Sequence, residues 1–128
     1  MLSIIVPVYN EKKYIQKTIN KILKLKKIEK QIIIVDDGSN DGTTLILKNK
    51  LSKNKNIDRI IFHKFNKGKG SAIKSAQKFV KGKFVAIQDA DLEYHPRDLL
   101  KLYKHMNKNN SEVVYGSRVL GKNKFENT

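Results

Sequence analysis

Asp89, Asp91 and Glu93 stand two residues apart at the end of an apolar run, Phe84-Val85-Ala86-Ile87-Gln88. In extended backbone, residues i, i+2 and i+4 share one face, so the three carboxylates project together. Convergent carboxylates repel unless something positive lies among them. Mg²⁺ or Mn²⁺ takes such oxygens, usually one or two carboxylates with substrate phosphates completing the shell. Ala90, between the two aspartates, leaves room for a bulky ligand. The other reading is a strand end running into an acidic, solvated turn, and a bare D-x-D does not decide between them.

The placement of the other acids adds to this. Seven of the twelve carboxylates, Glu11, Asp36, Asp37, Asp41, Asp89, Asp91 and Glu93, follow directly on apolar strand-like stretches. In open α/β sheets, ligands bind outside the carboxyl ends of the strands. A chain of net charge +15 that gathers its acids at one edge has a place there for cations or ligand hydroxyls. Asp36 and Asp41 are also ordinary turn formers; that explanation suits Asp89 and Asp91 less well.

The elements that must carry these groups alternate. Residues 2–8 read as a buried strand, and Asn10 as the N-cap of a helix whose stripe is Ile15, Ile19, Ile22 and Leu23. That basic amphipathic helix suits a sheet face or a membrane surface. Gln31–Val35 is a second apolar strand of the kind covered on both faces. The turn Asp36–Thr43 follows, with Thr43 or Asp41 capping a helix to about Leu51. Ile57–Phe62 is a third strand, and Asn66–Ser71 a glycine turn opening a helix through Val80. Phe84–Gln88 is the fourth strand. Pro96 opens a helix with Leu99, Leu100, Leu102, Tyr103 and Met106 as its apolar face. Val113–Tyr115 is a short fifth strand. The alternation predicts one α/β domain, residues 1–128, with a mostly parallel sheet.

Composition limits the alternatives. The chain has no cysteine, hence no disulfide framework, which suits a reducing cytoplasm. No apolar run approaches the ~20 residues that span a bilayer. Of 27 Lys and Arg residues only Arg59, Arg97 and Arg118 are arginine, and the lysines spread over every helix. Nucleic-acid readers use clustered Arg and aromatics, so no nucleic-acid partner is expected. Gly68-x-Gly70 lacks the third glycine of a dinucleotide fingerprint and reads as a turn. His63, His95 and His105 fall outside the motifs and are taken as surface residues. A signalling receiver domain does not fit, because the strand after Asp37 ends in Phe62-His63-Lys64 without an aspartate.

Taken in order, Pro7-Val8-Tyr9-Asn10-Glu11, Val35 with Asp37-Gly38-Ser39-x-Asp41-Gly42-Thr43, Asn66-Lys67-Gly68, Gln88-Asp89-Ala90-Asp91-Leu92-Glu93-Tyr94 and Gly116-Ser117-Arg118 resemble family 2 glycosyltransferases. They look most like the dolichyl- and polyprenyl-phosphate mannosyltransferase (or glucosyltransferase) branch. The resemblance runs from residue 3 to about 120. It implies a Rossmann-like, GT-A type nucleotide-sugar-binding fold and inverting, metal-assisted transfer of a hexose onto a polyprenyl or dolichyl phosphate. The donor would be a GDP- or UDP-sugar, and the enzyme would be cytoplasmic, peripheral at the membrane face.

Carried over residue by residue, Pro7, Tyr9 and Glu11 would line the nucleoside pocket. Val35 and Asp37 would continue it, Asp37 towards the base and Glu11 towards the ribose. Asp89 and Asp91 would be the metal and diphosphate pair, with Ala90 at the nucleotide and Glu93 completing the shell of Mg²⁺ or Mn²⁺. Arg118 would bind phosphate through its planar guanidinium. The departing diphosphate would be neutralised by the metal, and a phosphate acceptor needs no strong general base.

Family 2 catalytic domains run on beyond Gly-Ser-Arg, whereas ten residues follow Arg118 here. The expectation is a donor-binding part short of its acceptor side. Such a part would expose apolar surface and self-associate or need a partner segment. A nucleotide-binding module without catalysis, or half of a split enzyme, is the alternative.

Overall fold

A computed structural model describes residues 1–26, 28–90, 97–98, 101, 103–104 and, for the backbone alone, 118–122. Five strands form one sheet: β1 (Leu2–Val8), β2 (Lys30–Asp36), β3 (Arg59–Phe62), β4 (Phe84–Ile87) and β5 (Arg118–Lys122). Helices α1 (Ile15–Leu23), α2 (Thr43–Asn49) and α3 (Lys69–Gln77) connect them, and a single 3₁₀ turn, Leu51–Lys53, follows α2. The sheet order is β3-β2-β1-β4-β5, with the first four strands parallel and β5 antiparallel to β4.

The alternation of side chains along the strands sorts the core into two layers. Leu2, Ile4, Val6 and Val8 of β1, with Ile32, Ile34, Phe84 and Ala86, pack against Ile15, Ile19 and Ile22 of α1 and Leu47 of α2. On the other face, Ile5, Ile33, Val35 and Val85 meet Ala72 and Ala76 of α3. The stripe of α1 therefore serves the sheet: Ile15, Ile19 and Ile22 are all fully buried. Each is worth roughly 1.5–3 kcal/mol of burial. On the α3 face, Ala72 and Ala76 let that helix lie close to the strands.

Chain direction makes the site. From β1 the chain steps through α1 and α2 to β2 and β3 on one side. It then crosses behind the sheet through α3 to β4, on the other side of β1. Strand order thus reverses between β1 and β4, and that is where an open α/β sheet leaves a crevice at its carboxyl edge. The opposite edge is closed by a buried polar network. Ser3 Oγ donates to Gln31 Oε1 (2.6 Å), and the Gly82 N–H donates to Ser3 Oγ (2.8 Å). A Cβ on Gly82 would lie 2.6 Å from the Met1 carbonyl oxygen, so only glycine fits there.

Three expectations are corrected. Asn10 does not cap α1: the helix starts at Ile15 after Tyr14, and Asn10 has φ of +52°. Its side-chain oxygen instead accepts from the N–H of Asn40 (2.8 Å). The strand found at the chain's end is 118–122, within the Lys/Asn-rich tail; residues 113–115 lie outside the described residues. The third is His63, whose side chain is buried against Asp37 instead of standing at the surface. Helical backbone at Arg97, Asp98, Lys101, Tyr103 and Lys104 agrees with a helix after Pro96, and Tyr103 packs edge-on against Phe84 with ring centroids 5.6 Å apart.

Candidate functional site: a cleft at the strand-order reversal

A cleft of about 290 Å³ opens at the carboxyl edge. Pro7 and Val8 at the end of β1, Tyr9 and Glu11 just past it, Asp37 after β2, and Asp89 and Ala90 after β4 line it. Asn66, Gly68, Lys69 and Ala72, at the start of α3, close the remaining side. Gly68, Ala72 and Ala90 are small, which is what leaves the volume.

Asp37 is the most constrained of these groups. Its side chain is 4% exposed, yet it carries a charge. Oδ1 accepts from the Lys67 N–H (2.9 Å) and lies 2.8 Å from His63 Nδ1; Oδ2 accepts from the Gly68 N–H (2.8 Å). Burial by itself would push this carboxyl up. The bonds from His63, Lys67 and Gly68 outweigh burial and hold it below the ordinary aspartate range. One carboxylate thereby pins the loop before α3 to the end of β2. Gly38 makes the approach feasible: its φ is +74°, and a Cβ there would sit 2.5 Å from the backbone of Phe65 and Asn66.

His63 is not a surface residue. Its side chain is 8% exposed, and Nε2 lies 2.7 Å from Ser75 Oγ on α3. Sequence reasoning missed it because it read the histidines by motif. His63 follows β3 directly, so the argument used for the acids, residues just past strand ends, would have found it.

Asp89 pairs with the Lys69 ammonium, their side chains 23% and 40% exposed. The segment it begins is anchored from below, where Thr18 Oγ1 of α1 donates to the Ala90 carbonyl (2.9 Å). Asp36 and Asp41 are turn builders. Asp36 accepts from the Ser39 N–H (3.1 Å) and from the Thr44 hydroxyl, and Asp41 from the N–H groups of Thr43 (3.0 Å) and Lys12 (3.2 Å). The glycine turn before α3 faces an anion, and that anion is Asp37.

The structure brings Pro7, Tyr9, Glu11, Asp37, Asp89 and Ala90 to one cleft. Val35 is fully buried in the layer beneath and does not line it. Arg118 is placed by its backbone opposite Ile87, near the carboxyl end of β4. Asp91 and Glu93, like His95 and His105, lie outside the described residues. Among the described residues no three His, Cys, Asp or Glu side chains group closely enough to hold a metal. Among them too, no helix is long and apolar enough to cross a membrane.

Comparison with known proteins agrees with this geometry. The family model described as Glycosyl transferase family 2 matches residues 3–128. Poly(ribitol-phosphate) beta-N-acetylglucosaminyltransferase TarP of Staphylococcus aureus is 34% identical over 119 residues, covering 90% of this chain and 36% of that protein. The crystal structure of S. aureus TarS with UDP-GlcNAc superposes with a TM-score of 0.71 at 28% identity, covering 88% of this chain and 32% of that one. The mannosyltransferase PcManGT of Pyrobaculum calidifontis, solved with GDP-Man and Mn²⁺, gives 0.64 at 26% identity over 70% of this chain and 27% of its own. The chain spans half or less of the length of the curated relatives it matches.

Proposed function

The chain belongs to glycosyl transferase family 2, and from that premise we propose that its cleft binds the nucleotide end of a GDP- or UDP-sugar donor for inverting transfer to a phosphate-bearing acceptor. The observation that carries the reading is the meeting of Glu11, Asp37 and Asp89 in one cleft at the strand-order reversal. Tyr9, 44% exposed at the lip, and Pro7 are walls for a nucleoside. Asp37, held ionised, is an acceptor for a base that offers a ring N–H, as uracil and guanine do. Glu11 is placed for ribose hydroxyls, Val35 supports the floor, and Ala90 leaves space at the nucleotide.

Asp89 already holds a cationic group, the Lys69 ammonium, and so has the charge and position to take a hard cation. With Asp91 and Glu93 next along the chain, it would hold Mg²⁺ or Mn²⁺. The ion, when bound, supplies charge neutralisation for the leaving diphosphate. Arg118, entering β5 opposite Ile87, is the further phosphate contact. PcManGT, with its Mn²⁺, supports the metal part of this reading.

For the acceptor we favour a polyprenyl or dolichyl phosphate met at the cytoplasmic membrane face, where a chain of charge +15 is attracted to anionic surface. TarP, named for poly(ribitol-phosphate), makes a polymer phosphate the second acceptor reading. A polyprenyl phosphate brings an oxygen that is already anionic, whereas a polymer hydroxyl would have to give up its proton as it attacks. A nucleotide-binding module that holds the donor without transferring its sugar is the alternative reading of the same cleft.

Thermal unfolding with UDP and GDP, with and without Mn²⁺, tests the reading. Ligand at 100 times its dissociation constant adds about 2.7 kcal/mol of stability. Asp91→Asn is expected to remove the Mn²⁺-dependent part of the shift and leave the fold intact. No shift with either nucleotide at millimolar concentration contradicts it.

A further inference from the structure

The cleft is lined by Asp37 but not by His63, which stands behind it. An ionised carboxylate only accepts, so Nδ1 donates to it, and an Nε2 without a proton then accepts a hydrogen bond from the Ser75 hydroxyl. The contacts run Ser75 Oγ, 2.7 Å, His63, 2.8 Å, Asp37, and tie α3 through the imidazole to the end of β2. The same order of groups serves hydrolases, where the serine faces the substrate. Here the carboxylate faces the cleft and Ser75 lies within α3, so the relay orients an acid instead of activating a hydroxyl.

What it orients is the one acceptor position that Asp37 has left. A carboxylate has about four lone-pair sites. Oδ1 spends two, on Lys67 and His63, and Oδ2 spends one, on Gly68. We propose that His63 is a positioning residue for donor binding: its Nδ1–H fixes Asp37 so that the remaining Oδ2 position is presented to the nucleobase, with Ser75 holding the ring from behind. This rests on the donor-cleft reading and adds a residue to it. Without the Nδ1 donor, the carboxylate can rotate about its last bond, and the base loses a pre-oriented partner while the diphosphate contacts are untouched.

Calorimetric titration with UDP, GDP and inorganic diphosphate, each with Mn²⁺, separates the outcomes. His63→Leu is expected to weaken the better-bound nucleotide about tenfold, the scale of one charge-assisted hydrogen bond. Inorganic diphosphate should bind as in the wild type. His63→Asn, whose amide places a donor near Nδ1, should come back to within about twofold of wild type, as a retained hydrogen bond requires. Equal nucleotide affinity in His63→Leu overturns the proposal. So does a parallel loss of diphosphate binding, or failure of His63→Asn to restore affinity. If His63→Leu does not fold, ¹⁵N spectra of the wild-type imidazole decide: Nδ1 must carry a proton, and an Nε2–H tautomer overturns the proposal. A wild-type chain that binds neither nucleotide is a failure of the donor reading, distinct from all of these.

Discussion

Asp37 meets three N–H donors with its two oxygens, and an amide cannot do the same. In Asp37→Asn one of the donors from Lys67, Gly68 or His63 would face an NH₂ group inside a nearly closed site. Leaving a buried donor unmatched costs about 1–3 kcal/mol, which urea unfolding at neutral pH should read. Acid carries a second signature. The carboxyls of Asp37 and Asp41 are both raised by burial and lowered further by hydrogen bonds, so their folded values lie below the ordinary 3.8. A depressed folded value gives stability that is complete above the unfolded value and lost as pH falls through the folded one. Unfolding free energy should therefore fall below about pH 4 through these two groups, and Asp37→Asn should flatten part of that fall. An equally steep acid curve in the variant would show that Asp37 is not one of the groups responsible.

At the scale of elements, two loops hold the cleft's shape, and two glycines with positive φ test how. Gly38 has φ of +74° and backbone 2.5 Å from where a Cβ would be; Gly42 has φ of +100° and only the flexible Lys12 side chain, 3.4 Å away. Alanine strains the backbone at both positions, by about 1–3 kcal/mol. Only at Gly38 must it also push the Phe65–Asn66 segment off the end of β2. Gly38→Ala should lower the melting temperature more than Gly42→Ala and should weaken nucleotide binding; equal effects would mean that the close approach is not needed.

Sequence reading reached much of this level. The four parallel strands, the sheet-facing stripe of α1 and the turn roles of Asp36 and Asp41 follow from periodicity and residue type. The start of α1 did not, because the partner of Asn10 is Asn40, thirty residues away. Nor did β5, since Arg118–Lys122 is a strand by pairing with β4 and lacks an apolar pattern of its own. His63 was read as surface because its partners, Asp37 and Ser75, come from two other elements.

For the whole molecule, a charge of +15 surrounds a cleft whose own wall is acidic. Lysines away from the site raise the local concentration of a diphosphate, but salt screens them over about 10 Å at 0.1 M. Nucleotide association should therefore slow as salt rises, with the dissociation rate changing less; stopped-flow mixing reads both. Rates that ignore salt would assign the lysines to some other task.

The most direct test of a nucleotide-binding cleft is an amide NMR titration with UDP and with GDP, followed by Mn²⁺. One of the two nucleotides should shift the amides of Tyr9, Gly68 and Ala90, and Mn²⁺ should then broaden those of Asp89 and Ala90 first. Silence at these amides with millimolar nucleotide, or shifts confined to Lys30, Lys55 and Lys81 around the opposite edge of the sheet, would contradict it.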